Sequence, residues 1–292
     1  MLQQLIVNGI IAGSIYALVA LGFVVIYRTV KFFHLAHGVV YTAGAYFAYT
    51  GIIILKGNPF VIFFLACCLC AYLGAGIEKL VYLPLRNKKA SNLVFLLASF
   101  GIFIFIQNLI QLIYGAQILI LRTGPIKEGY HFLGAVITDI QILILIVSIF
   151  LMVLLWFFIQ KTKLGKAMKA VSDDITAASI VGINPNRTIL SAFIVGSFLA
   201  GAAGILISFE TNIEPTMGFM AILKGIIASI VGGIGNIPGA VFGAYFLGIA
   251  ENLGIWKISA GWKDCIAFII LIIFLLIRPK GFFGMKVEKE RL

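Results

Sequence analysis

From Leu5 to Tyr27 the chain runs 23 residues without one Asp, Glu, Lys or Arg, and from Leu93 to Tyr114 it does so for another 22. A helix rises about 1.5 Å per residue, so about 20 apolar residues cross the ~30 Å hydrocarbon layer of a bilayer. A barrel strand would instead alternate apolar and polar positions over about 10 residues, and these blocks do not alternate. The same reading along the chain predicts helical spans at 5–27, 38–55, 59–77, 93–114, 138–159, 188–208, 219–234, 239–256 and 264–277. The expected fold is therefore all-α: one polytopic transmembrane bundle over 1–292, with about eight or nine spans. The first block lacks a basic start and exceeds the roughly 7 to 15 apolar residues of a secretory signal, so it reads as a retained helix.

Composition strengthens this picture. Hydrophobic residues make up 62% of the 292 and charged residues 11%, against roughly 25% charged in a soluble domain. The net charge of +11 would suggest nucleic acid as a partner in a soluble protein. Here the basic residues sort by alternate loops, and that is the signature of membrane orientation. One side holds Arg28, Lys31, Lys79, Arg86, Lys88, Lys89, Lys161, Lys163, Lys166, Lys169, Arg187 and the tail basics Arg278, Lys280, Lys286, Lys289 and Arg291. The other holds Lys56, Arg122, Lys127, Lys257 and Lys263, a division of 16 to 5, with Lys224 inside a span. The 160–187 loop and the 278–292 tail are thus expected in the cytoplasm and the N-terminus outside, which requires an odd number of crossings. Cys67, Cys68 and Cys70 share one apolar helix, so reduced thiols are expected rather than a disulfide framework or zinc ligands.

Two stretches break the pattern, Lys31 to Gly38 and Gly232 to Gly239. Glycine and proline at the second, and two histidines with a glycine at the first, mark interruptions where 38–55 and 219–256 could be re-entrant or broken. Each is followed by Gly-Ala-Tyr-Phe, at 44–47 and at 243–246. The echo fits an internal duplication. Two ordinary inter-helix turns account for it equally well.

The segment 160–187 exceeds the usual 2 to 8 residues of a helix connection and carries its own helix signals. Ser172 suits an N-cap, with Asp173 and Asp174 in the first turn. Gly182 suits the left-handed C′ position, and Pro185 stops the helix. Between them Ala177, Ala178 and Ser179 present a small face. Such a helix can rest on lipid headgroups or seat in a cleft of a cytoplasmic partner. The pattern Ala-Ala-x-x-x-Gly at 177–182 favours the second, because permeases of ABC importers carry Glu-Ala-Ala-x-x-x-Gly in the loop that receives motion from their ATPase. Thr176 stands at the Glu position.

The chain as a whole resembles the permeases of branched-chain amino acid ABC importers, and most of all the shorter of that system's two. The likeness includes Asn8-Gly9, Gly13 to Gly22, His34-Leu-Ala-His-Gly38 before Gly44-Ala-Tyr46, Gly165 to Val171, Ala177 to Asn184, Gly232 to Ala240 and Arg278 to Gly284. His34 replaces the family's usual Asn. The resemblance implies a bacterial cytoplasmic-membrane permease that works with ATPase subunits, a second permease (identical or not) and a periplasmic or surface-anchored amino-acid-binding protein. No Gly-x-x-x-x-Gly-Lys-Ser/Thr stretch occurs, so ATP hydrolysis is expected on another chain and no cofactor is expected here. An ion-coupled secondary transporter and a passive channel are the rival classes; permeases for urea or short amides lie within the same family.

Candidate path residues are Gly13, Ser14, His37, Gly38, Gly44, Gly201 and Gly204; for the small residues among them close helix packing is the favoured reading, and the Leu35 to Gly38 bend with His37 is a candidate hinge or gate. His34 and His37 have no carboxylate or cysteine nearby in sequence, so packing is expected over metal ligation. Lys224 and Glu251 lie deep inside neighbouring spans, where a charge is costly unless paired or wet. They are expected to pair, to touch a zwitterionic substrate, or to snorkel to the interface. Glu210 and Glu214 are candidates for meeting a basic surface on a delivering protein.

Overall fold

The structure, a computed structural model, describes residues 1–122, 129–132, 134–257 and 259–284. Lys127 and the tail residues Lys286, Lys289 and Arg291 lie outside the described residues.

The chain forms α1 (Leu2–Val30), α2 (His37–Tyr49) ending in a wide turn (Thr50–Ile54), α3 (Pro59–Ile77), a second wide turn (Glu78–Tyr82) and α4 (Leu83–Asn87). There follow α5 (Asn92–Tyr114), α6 (Asp139–Lys161), α7 (Lys163–Asp173), α8 (Ile175–Ile180), α9 (Pro185–Glu210), α10 (Met217–Gly232), α11 (Ile237–Gly254) and α12 (Lys263–Ile277). One small departure from the all-α expectation is an antiparallel hairpin, β1 (Tyr130–Phe132) with β2 (Ala135–Ile137), in the connection before α6.

Asparagine and proline punctuate these helices. Asn58, Asn184 and Asn236 each cap a helix whose first turn contains Pro59, Pro185 or Pro238, and each accepts a backbone N–H with its side chain. Proline lacks an amide hydrogen that the first turn leaves unpaired anyway, so the pair starts a helix as surely as it stops the previous one. Thr138 and Gln141 start α6 by a reciprocal box, with N···O distances of 3.3 and 3.1 Å.

Among the described residues, five helices are long and apolar enough to cross a membrane: α1, the continuous 59–87 helix, α5, α6 and α9. The pair α10 and α11 passes the same test together but bends by 116° at its break. The span predicted at 59–77 coincides with α3. The helix runs on to Asn87 because Glu78, which looks like a loop residue, is buried and paired to Arg86 at 2.8 Å.

The bundle has two tiers. Of the apolar windows, 83% of α1 and 72% of α9 are buried, against 28% of 59–87, 22% of α5 and 28% of α6. Lipid tails are as apolar as leucine, so the inner tier is held by close packing rather than by expulsion of water. A Cβ at Gly22 would lie 2.7 Å from the Gly196 carbonyl oxygen, and a Cβ at Gly44 2.7 Å from that of Gly201. Only glycine permits backbones this near.

Contacts define the two ends of the bundle. At one, Arg28 reaches Ser172 on α7, and Asn236 Nδ2 donates to the Phe283 carbonyl at 3.0 Å. At the other, Gln4 meets Val136, Leu119 pairs with Ile213, and Gln141 donates to Glu210 at 2.8 Å.

Candidate functional site

Near the end marked by Gln141 and Glu210, α1, α9, α10 and the start of α12 enclose a cavity of about 420 Å³. Its walls are apolar along Ile11, Ile15, Val19, Ile207, Met217 and Met220. Polar groups punctuate them: Asn8, Tyr16, Gln141, Glu210, Asn212, Lys224, Asn252 and Lys263. Ligand pockets span roughly 300–1,000 Å³ and combine apolar walls with a few fixed polar groups, so this cavity suits a small solute. Its wall therefore carries positive, negative and apolar surface together.

Lys224 is the centre of the electrostatics. Its Nζ lies 3.1 Å from Tyr16 Oη, 3.2 Å from Glu251 Oε2 and 2.9 Å from Asp264 Oδ1. An ammonium has three hydrogens, and three acceptors surround this one. Tyr16 in turn donates to Glu251 Oε2 at 2.8 Å. One cation thus fastens α1, α10, α11 and α12 together. Glu251 is 0% exposed, and a carboxylate buried to that degree persists only with such partners. Lys263 Nζ donates to Asn252 Oδ1 at 3.1 Å on the same wall.

Of the path residues read from sequence, Lys224 lines the cavity and Glu251 stands behind it. The others sit at helix crossings: Gly13 against Tyr245, Gly38 against Gly218, Gly44 against Gly201 and Gly204 against Tyr41. Ser14 Oγ donates to the Ile10 carbonyl and lies 3.0 Å from Tyr245 Oη. The His37 ring lies against Gly22. His34 Nδ1 is 2.9 Å from Tyr82 Oη, and no three His, Cys, Asp or Glu side chains converge as a metal site would need among the described residues. Glu210 lines the cavity with its carboxylate bound to Gln141, and Glu214 is exposed. Tyr16, Asp264 and Asn252 were missed. An acid at the start of a span, as Asp264 is, was a usable signal; a tyrosine within an apolar run was not.

The small helix of the 160–187 segment is present, but it starts two residues later than Ser172. Asp174, extended at φ −152°, is the N-cap of α8, and its Oδ1 accepts from Thr176 N at 2.7 Å and Ala177 N at 3.0 Å. Ser172 and Asp173 instead close α7, because Ser172 is buried with its hydroxyl 3.4 Å from Arg28 Nε. Gly182 takes φ +84°, the left-handed conformation that favours glycine. Ala177 is exposed and Ala178 buried, while Ile175, Ile180 and Val181 present exposed apolar surface beside them.

Long apolar helices, a glycine-packed inner tier and a solute-sized cavity opening at one end define a multi-pass membrane protein of the permease kind. The chain belongs to the family described as branched-chain amino acid transport system / permease component, whose model matches residues 5–275. It is 36% identical over 306 aligned residues to the high-affinity branched-chain amino acid transport system permease protein LivH of Escherichia coli K12, covering 99% of this chain and 97% of that one. The corresponding permease BraD of Pseudomonas aeruginosa is 36% identical over 302, with the same coverage. A probable branched-chain amino acid transport permease LivH of Methanocaldococcus jannaschii is 29% identical over 306, covering 98% and 94%. Among solved structures, a chain of PsaBC from Streptococcus pneumoniae in complex with Fab aligns at a TM-score of 0.49 and 15% identity, over 97% of this chain and 92% of that one.

Proposed function

We propose that this chain is the membrane-spanning permease of an ATP-driven importer that moves branched-chain or other neutral amino acids across the cytoplasmic membrane. The observation that carries this reading is the cavity beside Lys224, with ammonium and carboxylate groups set in Ile and Met walls, in a chain matched end to end by permeases named for those solutes. Nine crossings are proposed: α1, α2 with its wide turn, 59–87, α5, α6, α9, α10, α11 and α12. They place the N-terminus outside and the α7–α8 segment inside, in keeping with the basic residues on α7.

In this reading α8, with Asp174, Ala177, Ala178 and Gly182, seats in an ATPase subunit. Closure of an ATPase pair on ATP draws the α8 helices of two permeases together. Ser172 on α7 touches Arg28 at the end of α1, and α1 lines the cavity through Ile11, Ile15 and Val19. The stroke therefore has a short covalent and packed route from docking helix to cavity wall. A binding protein delivers solute at the Glu210 and Glu214 end.

Proteoliposomes holding this chain, a second permease, the ATPase and the binding protein test the reading. Leucine uptake that needs internal ATP and survives an uncoupler is the expected result. Uptake abolished by the uncoupler with ATP intact would establish ion coupling instead.

A further inference from the structure

At the opposite end from the cavity a second hollow, of about 290 Å³, lies between the end of α6, α7 and the turn into α11. Two cations, Arg28 and Lys169, line it together with Gln160, Asn236, Trp156 and Ile159, and among the described residues no carboxylate lines it. Lys169 Nζ donates to Gln160 Oε1 at 2.7 Å, and Arg28 Nε points at Ser172 Oγ at 3.4 Å. Both contacts are with neutral partners, and among the described residues no salt bridge joins either cation to an acid. The nearest acid along α7, Asp173, acts on Lys31, whose ammonium is pushed down from its usual range by burial and by Arg28.

The mouth of the hollow has a second character. Trp156 is 46% exposed there, and Val153 and Ile149 continue the same exposed face up α6 at helical spacing. Tryptophan favours the level of lipid headgroups, and cationic pockets between spans on the cytoplasmic side accept anionic ones. A ligand that satisfies both halves has a phosphate-borne negative charge and a long hydrocarbon tail.

We propose that this hollow is a binding site for an anionic phospholipid. Its phosphate lies between Arg28 and Lys169, and one acyl chain follows Trp156, Val153 and Ile149. A free phosphate would use the cations but leave the apolar strip idle.

Native mass spectrometry of the intact transporter in detergent, titrated with phosphatidylglycerol or phosphatidylcholine, tests this. Phosphatidylglycerol should be retained and phosphatidylcholine lost. A basic residue near the membrane surface contributes about fivefold in affinity, so Lys169→Gln should weaken retention about fivefold and Arg28→Gln with Lys169→Gln about 30-fold. Trp156→Ala should weaken it with both cations intact, which keeps the test sharp if the Arg28 variant folds poorly. Lys88→Gln with Lys89→Gln removes equal charge elsewhere and should change nothing. Wild-type retention by Lys169→Gln and by the double variant would overturn the proposal. So would displacement of the lipid by equimolar glycerol phosphate, or a disulfide from residue 156 to a second permease that fills the hollow.

Discussion

Lys224→Met is expected to destabilise the protein more than Glu251→Gln, although the two residues form one ion pair. At 3.2 Å and an effective dielectric constant of about 20, the attraction between them is about 5 kcal/mol before desolvation. Desolvation offsets most of that gain, so the cost of a substitution depends on what it leaves behind. Without Lys224, Glu251 keeps a buried carboxylate with Tyr16 as its hydrogen-bond donor, a situation that costs about 3–5 kcal/mol. Without the Glu251 charge, Lys224 is still held by Asp264 at 2.9 Å and Tyr16 at 3.1 Å, so the loss is about 1–2 kcal/mol. The double variant should cost less than the sum by about 2 kcal/mol. In a background lacking the exposed Cys68 and Cys265, a thiol-reactive fluorogenic dye reads the unfolding on heating, because Cys67 and Cys70 are buried free thiols. Equal losses from the two single variants, or an additive double variant, would refute the reasoning.

Gly22→Ala should cost about 1–3 kcal/mol, since its Cβ meets the Gly196 carbonyl at 2.7 Å, whereas Gly101→Ala meets nothing within 4 Å and should be neutral or stabilising by up to about 1 kcal/mol; the same thermal assay separates them. Asp174→Ala should cost α8 about 1 kcal/mol of capping and lower uptake per ATP hydrolysed, with Asp174→Asn nearly normal; parallel uptake and ATPase assays measure the ratio. A cysteine at Ala12, on the cavity wall, should react with a water-soluble thiol reagent in a variant lacking Cys68 and Cys265, and leucine should slow that reaction; unchanged labelling with leucine present would remove the cavity from the path.

The helical bundle was legible because apolar runs need no tertiary information to be recognised. What was misread depended on partners distant in sequence. Glu78 and Lys79 mark a loop by composition, and the buried ion pair with Arg86 is what that composition did not show. Ser172, Asp173 and Asp174 are all good N-caps, and the contact of Ser172 with Arg28, 144 residues away, decides that Asp174 is the one used. Lys224 and Glu251 stood out as charges among hydrocarbons. Tyr16 did not, since a tyrosine in an apolar block carries no mark of the carboxylate it will meet. The strand pair at 130–137 also gave no warning, being too short for its alternation to register.

Where α1 passes α9 at Gly22 and Gly196, main chain lies close to main chain, and the His37 ring and the Ile26 side chain wedge the crossing on either side. A joint packed this closely is expected to move as one piece, so the two helices are expected to act as a single strut. In the proposed transport cycle the cavity is expected to change shape around that strut, with the Lys224–Asp264 contact at 2.9 Å as the polar latch expected to open. Spectroscopic labels set across α1 and α9 should stay at constant separation through the cycle, and labels set across α1 and α12 should record the moving part.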